Sequence, residues 1–140
     1  FDGWRSRKCQ EALFSNVSAQ IDGSELSNYL CPPRWDRTAP PFHSTGAAVD
    51  LSLARRGEDL IDLGAEFDEF SLRAGTAALE WAGDQSAARL HRRLLFWLMR
   101  AQGFSNLPSE FWHYDWGGQL WAVEHRCTAV FGMMESLPSR

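Results

Sequence analysis

Phe42-His43-Ser44-Thr45-Gly46-Ala47-Ala48-Val49-Asp50-Leu51 is the stretch on which the reading of this chain turns. It sets an imidazole and a carboxylate seven residues apart, with a glycine between them. From 47 to 53 the odd positions Val49, Leu51 and Leu53 are apolar, and the even positions Ala48, Asp50 and Ser52 are small or polar. A period of two is the pattern of a half-buried strand. It puts Asp50 on the face away from the core, beside residues too small to cover it. Gly46 permits a bend, so His43 and Asp50 can converge on one point. A histidine nitrogen and a carboxylate oxygen aimed together are two parts of a zinc site. The alternative is a turn histidine and a solvent-facing aspartate.

Upstream of this stretch, Asp2-Gly3 is a turn signal, and residues 1–5 read as a strand end running into a turn. The expectation is that a segment preceding Phe1 is missing. Cys9, Ala12, Leu13, Val17 and Ile21 recur at near-helical spacing, which predicts a helix over 5–21 with Ser6 as N-cap and Asp22-Gly23 as its end. Residues 23–41, with Pro32-Pro33 and Pro40-Pro41, form a long loop leading to His43.

Downstream, the polar segment 55–59 with Gly57 predicts a hairpin whose return strand is 60–63. Gly64-Ala65-Glu66-Phe67-Asp68-Glu69-Phe70 reads by composition as a solvated acidic loop. Residues 84–102 carry the strongest helical pattern. Asp84 serves as cap, Leu90, Leu94, Trp97, Leu98 and Ala101 form the apolar stripe, and Arg89, Arg92, Arg93 and Arg100 take the solvent side. Gly103 stops the helix, and His91 reads as a surface residue. From 112 to 116, Trp112, Tyr114 and Trp116 alternate with His113 and Asp115. Pro108 keeps the preceding residues out of the ladder, and Glu110 reaches the side of His113 from a turn. Residues 121–131 pack as a helix or a strand, with His125 structural or on the surface.

A chain of 140 residues fits one domain. A net charge of -4 gives no reason to expect nucleic acid as a partner. No apolar run is long enough to span a membrane. Cys9, Cys31 and Cys127 are far apart and odd in number, which argues against a cysteine zinc site or a disulfide framework. They read as small buried residues.

His43, Asp50 and His113 together offer two nitrogens and one carboxylate oxygen. A catalytic zinc site has three protein ligands and leaves a fourth position for water, whose pKa the metal lowers. Glu110, three residues before His113, is placed to act as general base. A cation would stabilise the oxyanion of peptide hydrolysis. Arg5 is a candidate for that role; by spacing alone it is an arginine beginning a helix.

These residues reach a known family. Asp2-Gly3-Trp4-Arg5 resembles the Asp-x-[Tyr/Trp]-Arg block of the VanX-like D-Ala-D-Ala dipeptidases, zinc D-alanyl peptidases of family M15. His43-Ser44-Thr45-Gly46-Ala47-Ala48-Val49-Asp50 is similar to their His-x-x-Gly-x-Ala-x-Asp block, and Glu110-Phe111-Trp112-His113 to their Glu-x-Trp-His block. Gly64-Ala65-Glu66-Phe67-Asp68 looks like their Gly-x-x-Phe-Asp segment. The resemblance implies an α+β fold of the hedgehog/DD-peptidase kind, a central antiparallel sheet carrying one zinc ion, with flanking helices. It implies His43, Asp50 and His113 as zinc ligands, Glu110 as catalytic base, Arg5 on the tetrahedral intermediate, and Asp68 on the free ammonium of a dipeptide. The chain departs from the family at Pro41, where a serine is usual, at Ser6, where a proline is usual, and at Phe111, where a tryptophan is common.

The expected function is hydrolysis of D-alanyl-D-alanine to D-alanine, in cell-wall precursor metabolism or glycopeptide resistance. The rivals are a zinc D,D-carboxypeptidase or peptidoglycan endopeptidase, and a non-catalytic zinc- or peptidoglycan-binding module. The first pair often use aspartate as base, and the module would have lost its base; Glu110 fits neither. A cytoplasmic location suits the resemblance, with a periplasmic one as the alternative. Nothing in the residues speaks to oligomeric state.

Overall fold

The computed structural model describes residues 1–19, 30–33, 36–57, 59–81 and 86–136. Its sheet has three strands in the order β1-β3-β2: β1 is Ala48–Asp50, β2 is Ser105–Asn106 and β3 is His113–Asp115. Both pairings are antiparallel, with Asp50 opposite His113 and Asn106 opposite Tyr114. The register alone sets the carboxylate of Asp50 beside the imidazole of His113, because directly opposed side chains share a face. Asp2 adds a single bridge to the free edge of β1, at Asp50. Four helices surround the sheet among the described residues: α1 (Arg7–Ser18), α2 (Ala78–Trp81), α3 (Ala87–Ala101) and α4 (Gln119–His125).

The period of two in 47–53 is real, but its burial is not the expected one. Val49, Leu51 and Leu53 do pack against the main core of Leu63, Ala74, Leu95, Phe111, Trp112 and Tyr114. Ala48 and Asp50, however, are buried too, and Asp50 is only 4% exposed. The face expected to meet solvent is covered by the N-terminal segment and by His43 and His113. The ladder is also shorter than 47–53. The expected hairpin survives as one isolated bridge, Ala54 to Leu60, and 60–63 is not a strand.

Ser6 caps α1 as its position predicts, accepting from the Cys9 amide. The expected end at Ile21 and Asp22-Gly23 lies outside the described residues. The buried side of α1 is Gln10 and Val17, while Cys9 is exposed. Cys127 is also exposed and Cys31 half-buried, and none of the three is in a disulfide, so the cysteines are not the buried trio expected.

On α3 the expected faces are inverted in part. Leu90, Leu94, Trp97 and Leu98 are each at least half exposed, and the buried residues are Ala88, Arg92 and Leu95. Arg92 turns inward because the segment from 63 to 75, irregular apart from the 3-10 turn Leu72–Ala74, leaves carbonyls without ladder partners. Its guanidinium donates to the carbonyl oxygens of Leu63, Arg73 and Gly75 and lies over the Phe111 ring, 4.4 Å from the centroid. Arg92→Met keeps the apolar stem but strands the Leu63 and Arg73 carbonyls, while Gly75 keeps the Ala78 amide; at about 1–3 kcal/mol for each unsatisfied group, the loss is roughly 2 kcal/mol or more, read from the urea midpoint. The cap is Ser86, not Asp84, which lies outside the described residues. The helix ends before Gly103, whose positive φ of 84° suits glycine.

Pro108 does not keep its predecessors out of the sheet. Ser105 and Asn106 pair with β3, and the Leu107 amide still donates to the His113 carbonyl. The ladder stops only at Pro108, which has no N–H to offer. Residues 107–112 then form the turn that carries Glu110 back over the sheet. Residues 119–125 are helical, with Asp115 accepting from the Gly118 and Leu120 amides to satisfy its first turn.

Candidate metal centre and cavity

His43 sits in a 3-10 turn, Phe42–Thr45, closed by Gly46 at φ +73°. The positive φ calls for glycine, while a Cβ there would press only on the mobile end of Met134, 2.8 Å from its Cε. The turn aims the His43 ring at β1. Its Nδ1 donates to the Gly3 carbonyl at 2.8 Å. A carbonyl can only accept, so this bond leaves the lone pair of the neutral ring on Nε2. That nitrogen is 3.2 Å from Asp50 Oδ2. From the other side His113 Nδ1 approaches Asp50 Oδ1 at 3.0 Å. The two rings are nearly perpendicular, 4.9 Å apart at their centroids.

The three residues are buried, and one ligand atom from each lies within 4.8 Å of the others. The contact between His113 and Asp50 lacks hydrogen-bond geometry: Asp50 Oδ1 is buried without a hydrogen-bond partner. A buried carboxylate oxygen facing a ring nitrogen, with neither satisfied by the other, is costly unless a cation joins them. Two imidazole nitrogens and one carboxylate oxygen fit a divalent metal ion. The Asp50 carboxyl is held well below the usual carboxylate range. Burial works against that charge, and the two neighbouring imidazoles outweigh burial. Burial likewise opposes the charge on His43, but Asp50 beside it raises the pKa overall.

Glu110 Oε2 is 3.8 Å from His113 Nδ1, with its side chain 15% exposed. Burial first, then the charges of Asp50 and Asp68, push its carboxyl up to about 7. Arg5 stands beside Asp50, with Nη2 4.0 Å from Asp50 Oδ2. The Arg5 amide donates to the His43 carbonyl, which ties the N-terminal segment to the histidine turn. Its Nε and Nη2 donate to Asp2 Oδ2, and Nη1 donates to Gln10 Oε1 at 2.9 Å. Asp68 adopts a positive φ of 57°, a conformation aspartate tolerates better than most residues. Its neighbour Phe67 is stacked on Phe1 and tilted against Trp112, which fixes the loop over the site. Asp68 keeps solvent access at the cavity mouth. Partial burial and the charge of Asp50 raise its pKa, against the pull of Arg5.

All six residues singled out in the sequence, Arg5, His43, Asp50, Asp68, Glu110 and His113, line one cavity of about 280 Å³. The acidic loop is therefore part of the site and not merely a solvated surface. Pro41, where the family has serine, lines it too and has no donor to offer. Gln10 also lines the cavity and is 2% exposed; sequence reading passed over it. The available signal was its position, seven before Val17 on the buried face of α1 and polar among apolar residues. A larger cavity, about 950 Å³ between α3, β2 and α4, contains none of the six. Its charged walls are paired within themselves, Arg93 with Glu80 and Arg100 with Glu124.

A small antiparallel sheet holding a buried His-Asp-His group, with an unligated glutamate and an arginine facing it, is the architecture of a metallopeptidase domain. A family profile described as D-ala-D-ala dipeptidase matches residues 2–131. The chain belongs to this family of peptidases. It is 33% identical over 118 residues to a D-alanyl-D-alanine dipeptidase of Synechocystis, a match covering 74% of this chain and 48% of the relative. It is 35% identical over 122 residues to the D-alanyl-D-alanine dipeptidase of Escherichia coli, covering 74% of this chain and 62% of the relative. The chain thus spans roughly half to three-fifths of the length of the curated relatives it matches. No described helix is long and apolar enough to cross a membrane.

Proposed function

We propose that this chain is a zinc dipeptidase domain that hydrolyses D-alanyl-D-alanine to two molecules of D-alanine. The observation that carries the reading is the joint placement of Glu110, beside His113, and Arg5, beside Asp50, with the His43-Asp50-His113 group in one small cavity. His43 Nε2, Asp50 and His113 Nδ1 would hold the ion. When bound there, zinc supplies Lewis acidity that acidifies water and polarises the scissile carbonyl. Glu110 takes the proton of the attacking water and returns it to the departing amine. Arg5 has five N–H groups, of which three are committed to Asp2 and Gln10. The remaining two are available to the oxyanion of the tetrahedral intermediate.

Asp68 holds the free ammonium of the substrate at the cavity mouth. A carboxylate facing an ammonium in a confined site discriminates against a blocked N-terminus, because the blocked substrate leaves the charge unpaired. The surplus of carboxylates over cations around the cavity supports both cationic occupants, the metal and the ammonium.

The test is D-alanine release from D-alanyl-D-alanine and from its N-acetyl derivative by zinc-loaded protein. The free dipeptide is cleaved and the blocked one is not. In Asp68→Asn the value of kcat/KM for the free dipeptide falls by about 10- to 100-fold, the worth of a charge-assisted hydrogen bond. Equal cleavage of both substrates by the unaltered protein would remove the dipeptidase reading in favour of a carboxypeptidase.

A further inference from the structure

We propose that Gln10 is a positioning residue that holds the Arg5 guanidinium toward the reacting carbonyl. The proposal rests on the dipeptidase reading of the same cavity. Gln10 is a neutral polar side chain, 2% exposed, on the inward face of α1. Such a group is costly to bury unless both ends of its amide are used, and both are. Oε1 accepts from Arg5 Nη1 at 2.9 Å, and Nε2 donates to the Cys31 carbonyl at 2.9 Å. The two bonds fix which end of the amide is oxygen, since the Cys31 carbonyl can only accept.

Asp2 holds Arg5 from one side only, through Nε and Nη2 on a single carboxylate oxygen. That leaves the guanidinium free to swing about the shared oxygen. Gln10 grips the third nitrogen from a different element and stops the swing. The plane of the guanidinium is then set, and with it the direction of the two uncommitted N–H groups. The bond to Cys31 extends the same hold to the Leu30–Pro32 wall of the cavity.

If Gln10 acts through Arg5, its loss affects the transition state more than substrate binding. In Gln10→Met, kcat for D-alanyl-D-alanine falls roughly ten- to thirtyfold, with KM within about twofold, the bond to a charged donor being worth that much. In the Arg5→Ala background the same substitution changes kcat by less than about twofold, since the group it orients is gone. Gln10→Glu keeps the oxygen facing Nη1 and loses the donor to Cys31; its kcat stays within a few-fold of the unaltered protein while its melting temperature falls. Zinc content stays at one equivalent in every variant.

The Arg5 side-chain nitrogen resonances give a readout that needs no turnover. Nη1 protons are resolved and slow to exchange in the zinc-loaded protein, and are lost to exchange in Gln10→Met. An unaltered protein that does not cleave the dipeptide, yet shows this spectral change, would sink the function and leave the positioning standing. An active protein whose Gln10→Met loss multiplies that of Arg5→Ala, or whose Nη1 signals survive in Gln10→Met, would overturn the proposal.

Discussion

Glu110→Gln lowers turnover of D-alanyl-D-alanine by about 10²- to 10⁴-fold, the usual contribution of a positioned general base, with one equivalent of zinc still bound. The expectation follows from where the carboxylate stands. It is outside the His43-Asp50-His113 group but 3.8 Å from one of its members. It can therefore exchange a proton with a water in the cavity without being needed to hold the ion. Burial and the charges of Asp50 and Asp68 put its pKa at about 7 in the metal-free protein, and a cation in the triad draws it down into the range where the base is ionised at neutral pH. Glutamine keeps the size and loses the proton acceptor. Folding is spared, because removing a carboxylate from a cavity already crowded with Asp50 and Asp68 relieves repulsion. Steady-state kinetics beside metal analysis decide it: unchanged kcat would assign the base elsewhere.

The second large effect is at Asp50, the hub of the site. Its carboxylate lies 3.2 Å from His43, 3.0 Å from His113 and 4.0 Å from Arg5. Asp50→Asn preserves shape but removes the one anionic ligand. Zinc affinity falls by well over 100-fold, more than is lost when a group merely supporting a ligand is changed, and hydrolysis falls to background. Competition with a chromophoric chelator measures the affinity. Because its neighbours hold the Asp50 charge against burial, that charge stabilises the fold at neutral pH, and the metal-free Asp50→Asn variant loses thermal stability. Zinc affinity within tenfold of the unaltered protein would remove Asp50 from the ligand set.

The convergence of the candidate site residues was more legible in the sequence than the packing was. His43, Asp50, Glu110 and His113 were readable because ligand spacing and strand register are local: a bend at Gly46 and an antiparallel pair suffice to bring them together. Asp68 entered only through resemblance, and Arg5, named as a candidate cation, was by spacing merely an arginine beginning a helix. Their placement depends on the bridge of Asp2 to Asp50 and on the stacking of Phe67 between Phe1 and Trp112, contacts across more than forty residues.

The packing of α3 shows the limit most clearly. Hydrophobic spacing selects the Leu90-Leu94-Trp97-Leu98 face, yet that face is open and Arg92 is inside. The reason is the backbone of 63–75, where the Leu63 and Arg73 carbonyls need donors that no ladder supplies. No local pattern in α3 announces that demand. Gln10 is the same case in miniature, a polar residue drawn inward by a partner, Arg5, whose role its own helix does not reveal.

The measurement that tests the account most directly is D-alanine release by chelator-stripped protein as zinc is added back in substoichiometric steps. The account predicts no release from the stripped protein, a linear rise to a plateau at one equivalent, and no rise in Asp50→Asn at the same zinc concentrations. Undiminished release from the stripped protein, or none from protein that has bound its full equivalent, would contradict it.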